Sequence, residues 1–394
     1  MPGYGSARHR VNVCRLPASW GLAAPKSFDI TLTGQRRRPG GPVKYPHQRK
    51  LTAASGRPGG SLTPNAKTDA HAPAHGPCAR EPPRPDPVTA MAGQDPEPTR
   101  DQPGAWQVLT ATERGAAHHA SEVPNQDAVA AFPIGPRGAV AAVADGHGHS
   151  RHFRSARGAR LAVTVACKAA HDLAPRLDGL TGTGQAEDDL RGILVPGVVA
   201  QWREAVHEDV AADPFSPAQD AARGRDDATI AYGTTLLLAI AWGQWLLLTQ
   251  IGDGNIVGIR PDGAALLPVP GDPQLDGRHT TSLCMPAAES SFRAGAVDTS
   301  RTALLGALLA TDGYGNAQAA RDWAAAVSAD LAGLIATHPA QWLASQLPVW
   351  AARCASLDGS ADDTTLALLL APSGGRREKQ NDGTVQEGAT GERG

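Results

Sequence analysis

Three aspartates stand in the same kind of setting in this chain. Asp145, Asp312 and Asp363 each adjoin a strongly apolar run, in a body with few other charges nearby. One Asp-Gly pair alone marks a turn, because Asp bonds its own backbone and Gly accepts positive φ. Three such acids at strand ends can converge, and convergent carboxylates repel one another unless cations neutralise them. Hard divalent ions such as Mg²⁺ or Mn²⁺ favour all-oxygen, water-rich sites of this kind. No His or Cys group in the sequence has zinc spacing. Two ions sharing a water would lower its pKa and stabilise anionic oxygens, which suits in-line hydrolysis of a phosphate ester. His147, two residues beyond Asp145, is placed to protonate the departing alcohol oxygen.

The elements that must hold these residues follow from periodicity. Gly138 to Ala144 reads as a buried strand emptying into Asp145-Gly146-His147-Gly148. Ser150 is expected to cap a helix whose apolar positions Ala156, Ala159, Val163, Cys167 and Ala170 keep one face. A second helix carries Val199, Trp202, Val206 and Val210 on one stripe, with Trp202 a core residue. Leu236 to Ala241 and Leu246 to Ile251 flank Gly243-Gln244, a two-residue hairpin turn that sets Trp242 opposite Trp245 and implies antiparallel sheet. The run Leu304 to Thr311 ends in Asp312-Gly313, two helices follow over Gln318 to Ile335 and Pro339 to Cys354, and Asp362-Asp363 precedes a last strand from Thr365 to Leu370.

Charge divides the chain. Its formal net charge of -2 is the difference between a basic segment, Met1 to Ala90, and an acidic remainder. The basic segment holds 14 of the 32 prolines and no sustained period, so it cannot bury enough apolar surface to offset its chain entropy. Residues 1–90 are therefore expected to be disordered, 91–105 a linker, 106–371 the working domain and 372–394 a second disordered tail. Met91 stands where the composition changes and is expected to be the true start, the upstream part being a mis-assigned translation. Arg36-Arg37-Arg38 is a solvated basic run, which argues for no specific nucleic-acid partner. Five cysteines without a close pair, and no apolar stretch of spanning length, read as a cytoplasmic protein without disulfides or membrane contact.

Asp145-Gly146-His147-Gly148, Gly233-Thr234-Thr235, Gly252-Asp253-Gly254, Ala310-Thr311-Asp312-Gly313 and Asp362-Asp363-Thr364-Thr365, in this order, resemble the metal-dependent type 2C (PPM) serine/threonine protein phosphatases. With Asn125-Gln126-Asp127 at the start, the resemblance covers residues 106–371. It implies an α+β, four-layer α/β/β/α sandwich of two antiparallel sheets flanked by helices, with a site for two Mn²⁺ or Mg²⁺ ions at one end. By motif, Asp145 would bridge both ions and the Gly146 carbonyl would ligate one. Asp312 and Asp363 would complete one shell, Asp127 would act through water, and His147 would be the general acid. Asp253 matches a position read as a turn acid bonding loop amides, while Thr234 and Thr235 read as packing residues.

This chain departs from the family pattern at three places. Gln126 replaces an acid beside Asp127, and His149 stands where glycine is common. An arginine that grips phosphate is expected shortly before Asn125; Arg114 is the nearest, and His118 or His119 could stand in. A third metal site would use Asp226 or Asp227 with Asp312. The implied activity is hydrolysis of phosphoserine and phosphothreonine in proteins by a hydroxide bridging two ions, in a monomer whose partners are phosphorylated proteins. The competing readings are a small-molecule phosphoesterase on the same fold and a catalytically silent phospho-recognition module, against which retention of Asp145, His147, Asp312 and Asp363 argues.

Overall fold

The computed structural model describes residues 105–275 and 279–372. The expectations for residues 1–90, for most of the 91–105 linker and for the tail beyond 372 lie outside the described residues, as do Cys14 and Cys78.

Among the described residues, ten strands form two antiparallel sheets. The first contains β1 (Gln107–Glu113), β6 (Asn255–Ile259), β7 (Ala265–Leu266), β9 (Gly306–Ala310) and β10 (Thr364–Leu370) in the order β1-β10-β9-β6-β7. The second contains β2 (Ala128–Ile134), β3 (Gly138–Ala144), β4 (Leu236–Trp242), β5 (Trp245–Ile251) and β8 (Arg293–Asp298) in the order β2-β3-β4-β5-β8. The expected hairpin is present: Gly243 takes φ +56° in the turn, and Trp242 pairs with Trp245. Positive φ at the first of two central residues gives a turn whose twist matches the strands it joins.

Alternation along each strand divides its side chains between two cores. Ala139, Ala141, Val143, Leu237, Leu246 and Leu248 of the second sheet meet Ile256, Ala307, Leu309, Ala367 and Leu369 of the first. The opposite face of the second sheet packs on helices Ser155–Leu177 and Val195–Ala212, and that of the first on helices Trp323–Thr337 and Ala340–Cys354. The result is the expected helix, sheet, sheet, helix layering. Trp202 is fully buried and donates from Nε1 to the Gly158 carbonyl at 3.0 Å, a core residue with its one polar atom satisfied.

Two helix starts differ from the sequence reading. Ser150 caps nothing, and the helix begins at Ser155 after Arg154. The reason is tertiary: the Arg154 amide donates to the Ala231 carbonyl at 2.8 Å and His152 Nδ1 lies 2.5 Å from the Ile230 carbonyl, so 150–154 is held as a turn. The helix expected from Gln318 begins at Trp323, whose ring lies edge-on to Tyr314 with centroids 5.8 Å apart.

Antiparallel pairing fixes where the aspartates fall. Asp145 follows β3 and Asp127 precedes β2, and these strands pair Ala128 with Ala144. Thr311 and Asp312 follow β9 and Asp363 precedes β10, which pair Ala310 with Leu366. All four acids therefore emerge at one end of the sandwich. No helix among the described residues is long and apolar enough to cross a membrane. Cys167 and Cys284 are free thiols.

Candidate active site

The Asp145 backbone is clasped by the segment before β4. Thr235 N–H and Thr234 Oγ1 both donate to the Asp145 carbonyl at 2.8 Å, and the Asp145 amide donates to Thr235 Oγ1 at 3.0 Å. The two threonines thus act by holding the strand end, more specifically than packing alone. Asp363 is buried and receives backbone amides on both oxygens, Gly115 at 2.7 Å and Gln126 at 2.6 Å. Asp127 is buried and accepts from the Thr311 hydroxyl at 2.9 Å.

These carboxylates repel one another at close range. Burial holds Asp127 well above the ordinary carboxylate pKa; the Asp363 and Asp312 charges add to it, and the Thr365 and Thr311 hydroxyls oppose it. Asp145 is raised by burial and then by the Asp127 and Asp312 charges, and it shares a hydrogen bond with Asp312. Asp312 is raised by burial and by Asp253 and Asp362, against the relief of the Asp145 hydrogen bond. Burial without a counter-charge disfavours the ionised form of each.

Beside them lies a cavity of about 110 Å³ lined by Asp145, Gly146, Asp362, Asp363, Gln126 and His118, among others. Gln126 Nε2 donates to Ser155 Oγ at 2.8 Å, which leaves its Oε1 buried without a partner. The carboxylates, the glycine backbone and this orphan amide oxygen make an oxygen-rich donor set, the chemistry that hard divalent cations select. The donor set fits such ions, but its arrangement is not preset. Among the described residues, no group of three or more His, Cys, Asp or Glu side chains is arranged to hold a metal ion. The hydrogen bonds supply the reason: Asp363 faces amides, Asp127 faces Thr311, and Asp145 and Asp312 face each other.

His147 does not line this cavity with its neighbours. Its ring packs edge-on to His152, with centroids 5.0 Å apart, and its amide donates to the Gly233 carbonyl at 3.1 Å. Burial, and then the neighbouring His152, push its pKa down to about 4, so the ring is neutral at pH 7. His149 is exposed, with its Nδ1 accepting the Arg151 amide at 3.2 Å. Arg114 does not line the cavity either; its Nη2 donates to the His118 carbonyl at 2.7 Å.

The acids proposed for a third metal are engaged elsewhere. Asp226 pairs with Arg151, while Asp227 accepts the Thr229 amide at 2.9 Å and lies 3.9 Å from His207. It is Asp253 whose charge acts on Asp312 and on Arg293. Sequence reasoning set Asp253 aside as a turn acid and passed over Asp362. Both carry the signal that found the others, an acid at the end of an apolar run, and each could have been weighted the same way.

The family model described as Protein phosphatase 2C matches residues 114–348, more than half of the chain. Asp363 lies beyond the matched stretch. No curated protein sequence matches this chain. Similar solved structures include a bacterial serine phosphatase, at 15% identity over 68% of this chain and 98% of that one with a TM-score of 0.45. A serine/threonine phosphatase of Mycobacterium tuberculosis is 20% identical over 68% of this chain and 98% of its own, with a TM-score of 0.40. The serine/threonine phosphatase of S. agalactiae is 17% identical over 68% and 99%, with a TM-score of 0.42.

Proposed function

The chain belongs to the protein phosphatase 2C family, and from that premise we propose that it hydrolyses phosphoserine and phosphothreonine esters in proteins with the help of two divalent cations, Mn²⁺ or Mg²⁺. The observation that carries this reading is the convergence of Asp127, Asp145, Asp312 and Asp363 at one end of the sandwich, where burial and like charge leave three of them short of a cation. Residues 106–371 would be the catalytic domain.

In this reading Asp145, the Gly146 carbonyl, Asp312 and Asp363 would hold the ions, with Asp127 acting through water. When bound, such ions would supply an activated water and neutralise the charge that builds on the phosphoryl oxygens. The chain's own residues position that chemistry. Thr234 and Thr235 fix the Asp145 backbone, and the Gly115 and Gln126 amides orient Asp363. His147 would deliver the proton to the departing serine or threonine oxygen. Its ring is neutral in the free protein, and the approach of a phosphate dianion would raise its affinity for that proton.

The cavity favours a local, charge-guided fit over long-range attraction, because the body is acidic and its field opposes an anionic substrate. Hydrolysis of an aryl phosphate by the full chain, measured with and without Mn²⁺ and beside Asp312→Asn, tests the reading. Activity that depends on metal and falls at least about 100-fold in Asp312→Asn is expected; metal independence, or full activity in the variant, would overturn it. Faster turnover of a phosphopeptide than of a free metabolite phosphate separates the protein phosphatase from the small-molecule reading.

A further inference from the structure

We propose that the end of the sandwich opposite the aspartates carries a second ligand site, suited to a small aromatic molecule bearing both an ammonium and a carboxylate, the chemistry of an aromatic amino acid. It stands independently of the phosphatase reading. Strand β5 ends at Ile251, which pairs with Leu236 beside the Thr235 that clasps Asp145. Its first residue, Trp245, is therefore at the far end, roughly 20 Å away at about 3.4 Å per residue. There Trp245 pairs with Asp298, the last residue of the edge strand β8. Both line a cavity of about 300 Å³, against about 110 Å³ for the one beside the aspartates. Gly182 and Thr183, at the start of the helix Thr183–Asp189, and Leu266 and Pro268, at and after the end of β7, also line it.

The size of the cavity and its unused polar groups define the ligand. About 300 Å³ is twice the roughly 150 Å³ that takes up a benzene ring, which leaves room for one ring and a short polar arm. Trp245, Leu266, Pro268 and Val297 supply an apolar wall for the ring. Trp106, Trp202 and Trp242 each donate their indole N–H within the chain. Trp245 is only 8% exposed, yet its N–H has no partner among the described residues. A buried donor left in this way gains most from an acceptor brought by a ligand. Asp298 and Arg301 supply both signs of charge. Asp298 Oδ1 accepts the Ser300 amide at 3.0 Å and the Ser300 hydroxyl at 2.5 Å, while Oδ2 lies 3.4 Å from Arg301 Nε. The Asp298 side chain is 11% exposed and that of Arg301 86%, so the carboxylate belongs to the wall and the guanidinium to the mouth. A ligand with a single charge is repelled by one of the two. A ligand with both signs on one carbon pairs with each.

The test is calorimetric titration of the full chain with L-phenylalanine, beside 3-phenylpropionate, which lacks the ammonium, and 2-phenylethylamine, which lacks the carboxylate. L-Phenylalanine is expected to saturate one site with a Kd of about 1 mM or tighter, the level open to a ligand of about a dozen heavy atoms. Each analogue should bind at least roughly tenfold more weakly, for the loss of one charge-assisted contact. Gly182→Leu provides the block. A Cβ at Gly182 meets nothing within 4 Å, and its φ of −175° is extended backbone that any residue adopts. The leucine should fill the cavity and weaken L-phenylalanine at least about tenfold while leaving the far-ultraviolet circular dichroism unchanged. Arg301→Gln should weaken L-phenylalanine roughly threefold, as for an exposed charge, and leave 2-phenylethylamine unaffected. No saturation at ten times the expected Kd overturns the proposal. So does undiminished binding by a folded Gly182→Leu, which would put the ligand elsewhere. Should that variant misfold, equal affinity of wild type and Arg301→Gln for L-phenylalanine overturns it, and so do analogues that bind as tightly as the amino acid.

Discussion

Two clusters of charge sit on either side of the segment 228–235, and they are opposites. At the sheet end, Asp127, Asp145 and Asp312 share one sign and are all pushed above their ordinary pKa, first by burial. Behind them, Arg154 and Arg157 meet Asp209, Asp213 and Tyr232 with signs alternating. Arg154 is buried, donates to Tyr232 Oη at 2.8 Å, and lies 3.6 Å from Asp209 and 3.3 Å from Asp213. Arg157 stands 3.1 and 2.7 Å from the same carboxylates, Tyr232 donates to Asp209, and Arg154 rests over the Phe215 ring at 4.6 Å. Burial raises the Tyr232 hydroxyl to about 12, and its hydrogen bond to Asp209 adds to that. The first cluster opposes folding and the second supports it. Like charges held in an interior mark a candidate functional site, so under the function proposed above the contrast separates the part that would work from the part that holds it in place.

The segment between the clusters links them. The Arg154 amide binds the Ala231 carbonyl on one side, and Thr234 and Thr235 clasp Asp145 on the other. Matched substitutions in the two clusters should therefore fail in different ways. Asp145→Asn is expected to lower turnover at least about 100-fold while leaving the far-ultraviolet circular dichroism and the cooperative urea transition intact. Arg154→Met should do the reverse. Removing Arg154 leaves Asp209 and Asp213 with Arg157 as their remaining cation, and because the two carboxylates are 30% and 54% exposed, the loss should be about 2 kcal/mol, below the full range for a wholly buried pair. Its activity at low temperature should fall only modestly. A lower urea midpoint for Asp145→Asn than for Arg154→Met would reverse the assignment of the two clusters.

The sequence carried the carboxylate cluster further than the ion-pair cluster, for a physical reason. Asp145, Asp312 and Asp363 announce themselves locally, each at the end of a run such as Gly138–Ala144 whose period and burial come from one stretch of chain. The hairpin at Gly243 is local in the same way, since turn geometry resides in the turn residues. Arg154 has no local signal; its role arises from Tyr232 and Asp209 in other elements, and the bonds of the Arg154 amide to Ala231 and of His152 to Ile230 moved the helix start from Ser150 to Ser155. Which side chain of residues 114–119 lines the cavity was hidden for a related reason. Whether Arg114 or His118 reaches the cavity depends on how closely Gly115 approaches the 361–362 loop, a contact between distant parts of the sequence. Asp253 was within reach of the local signal and was discounted because a turn explains an isolated Asp-Gly equally well.

The smallest effect is the sharpest test of the frustrated cluster. In protein kept metal-free with a chelator, Asp145→Asn should raise stability at pH 7 by about 1 kcal/mol, because a carboxylate that repels its neighbours is replaced by a neutral amide of the same shape. The size of that gain must depend on pH. The folded pKa of Asp145 lies above its unfolded value near 3.8, so the unfolded chain ionises first as pH rises and the folded state is progressively penalised above about 3.8. Lowering the pH from 7 lets Asp145 take up its proton in the folded protein and removes the penalty. The advantage of Asp145→Asn should therefore shrink as pH falls through the raised pKa and approach zero near pH 4. His147, whose pKa is pushed down to about 4, behaves oppositely: its stabilising neutrality is lost as pH falls from 6.5 toward 4. That loss acts on wild type and variant alike, so the difference between their urea midpoints isolates the carboxylate. A difference that stays constant from pH 7 to pH 4, or that grows on acidification, would show that Asp145 is ionised and already compensated in the metal-free fold, and the contrast between the two clusters would be lost.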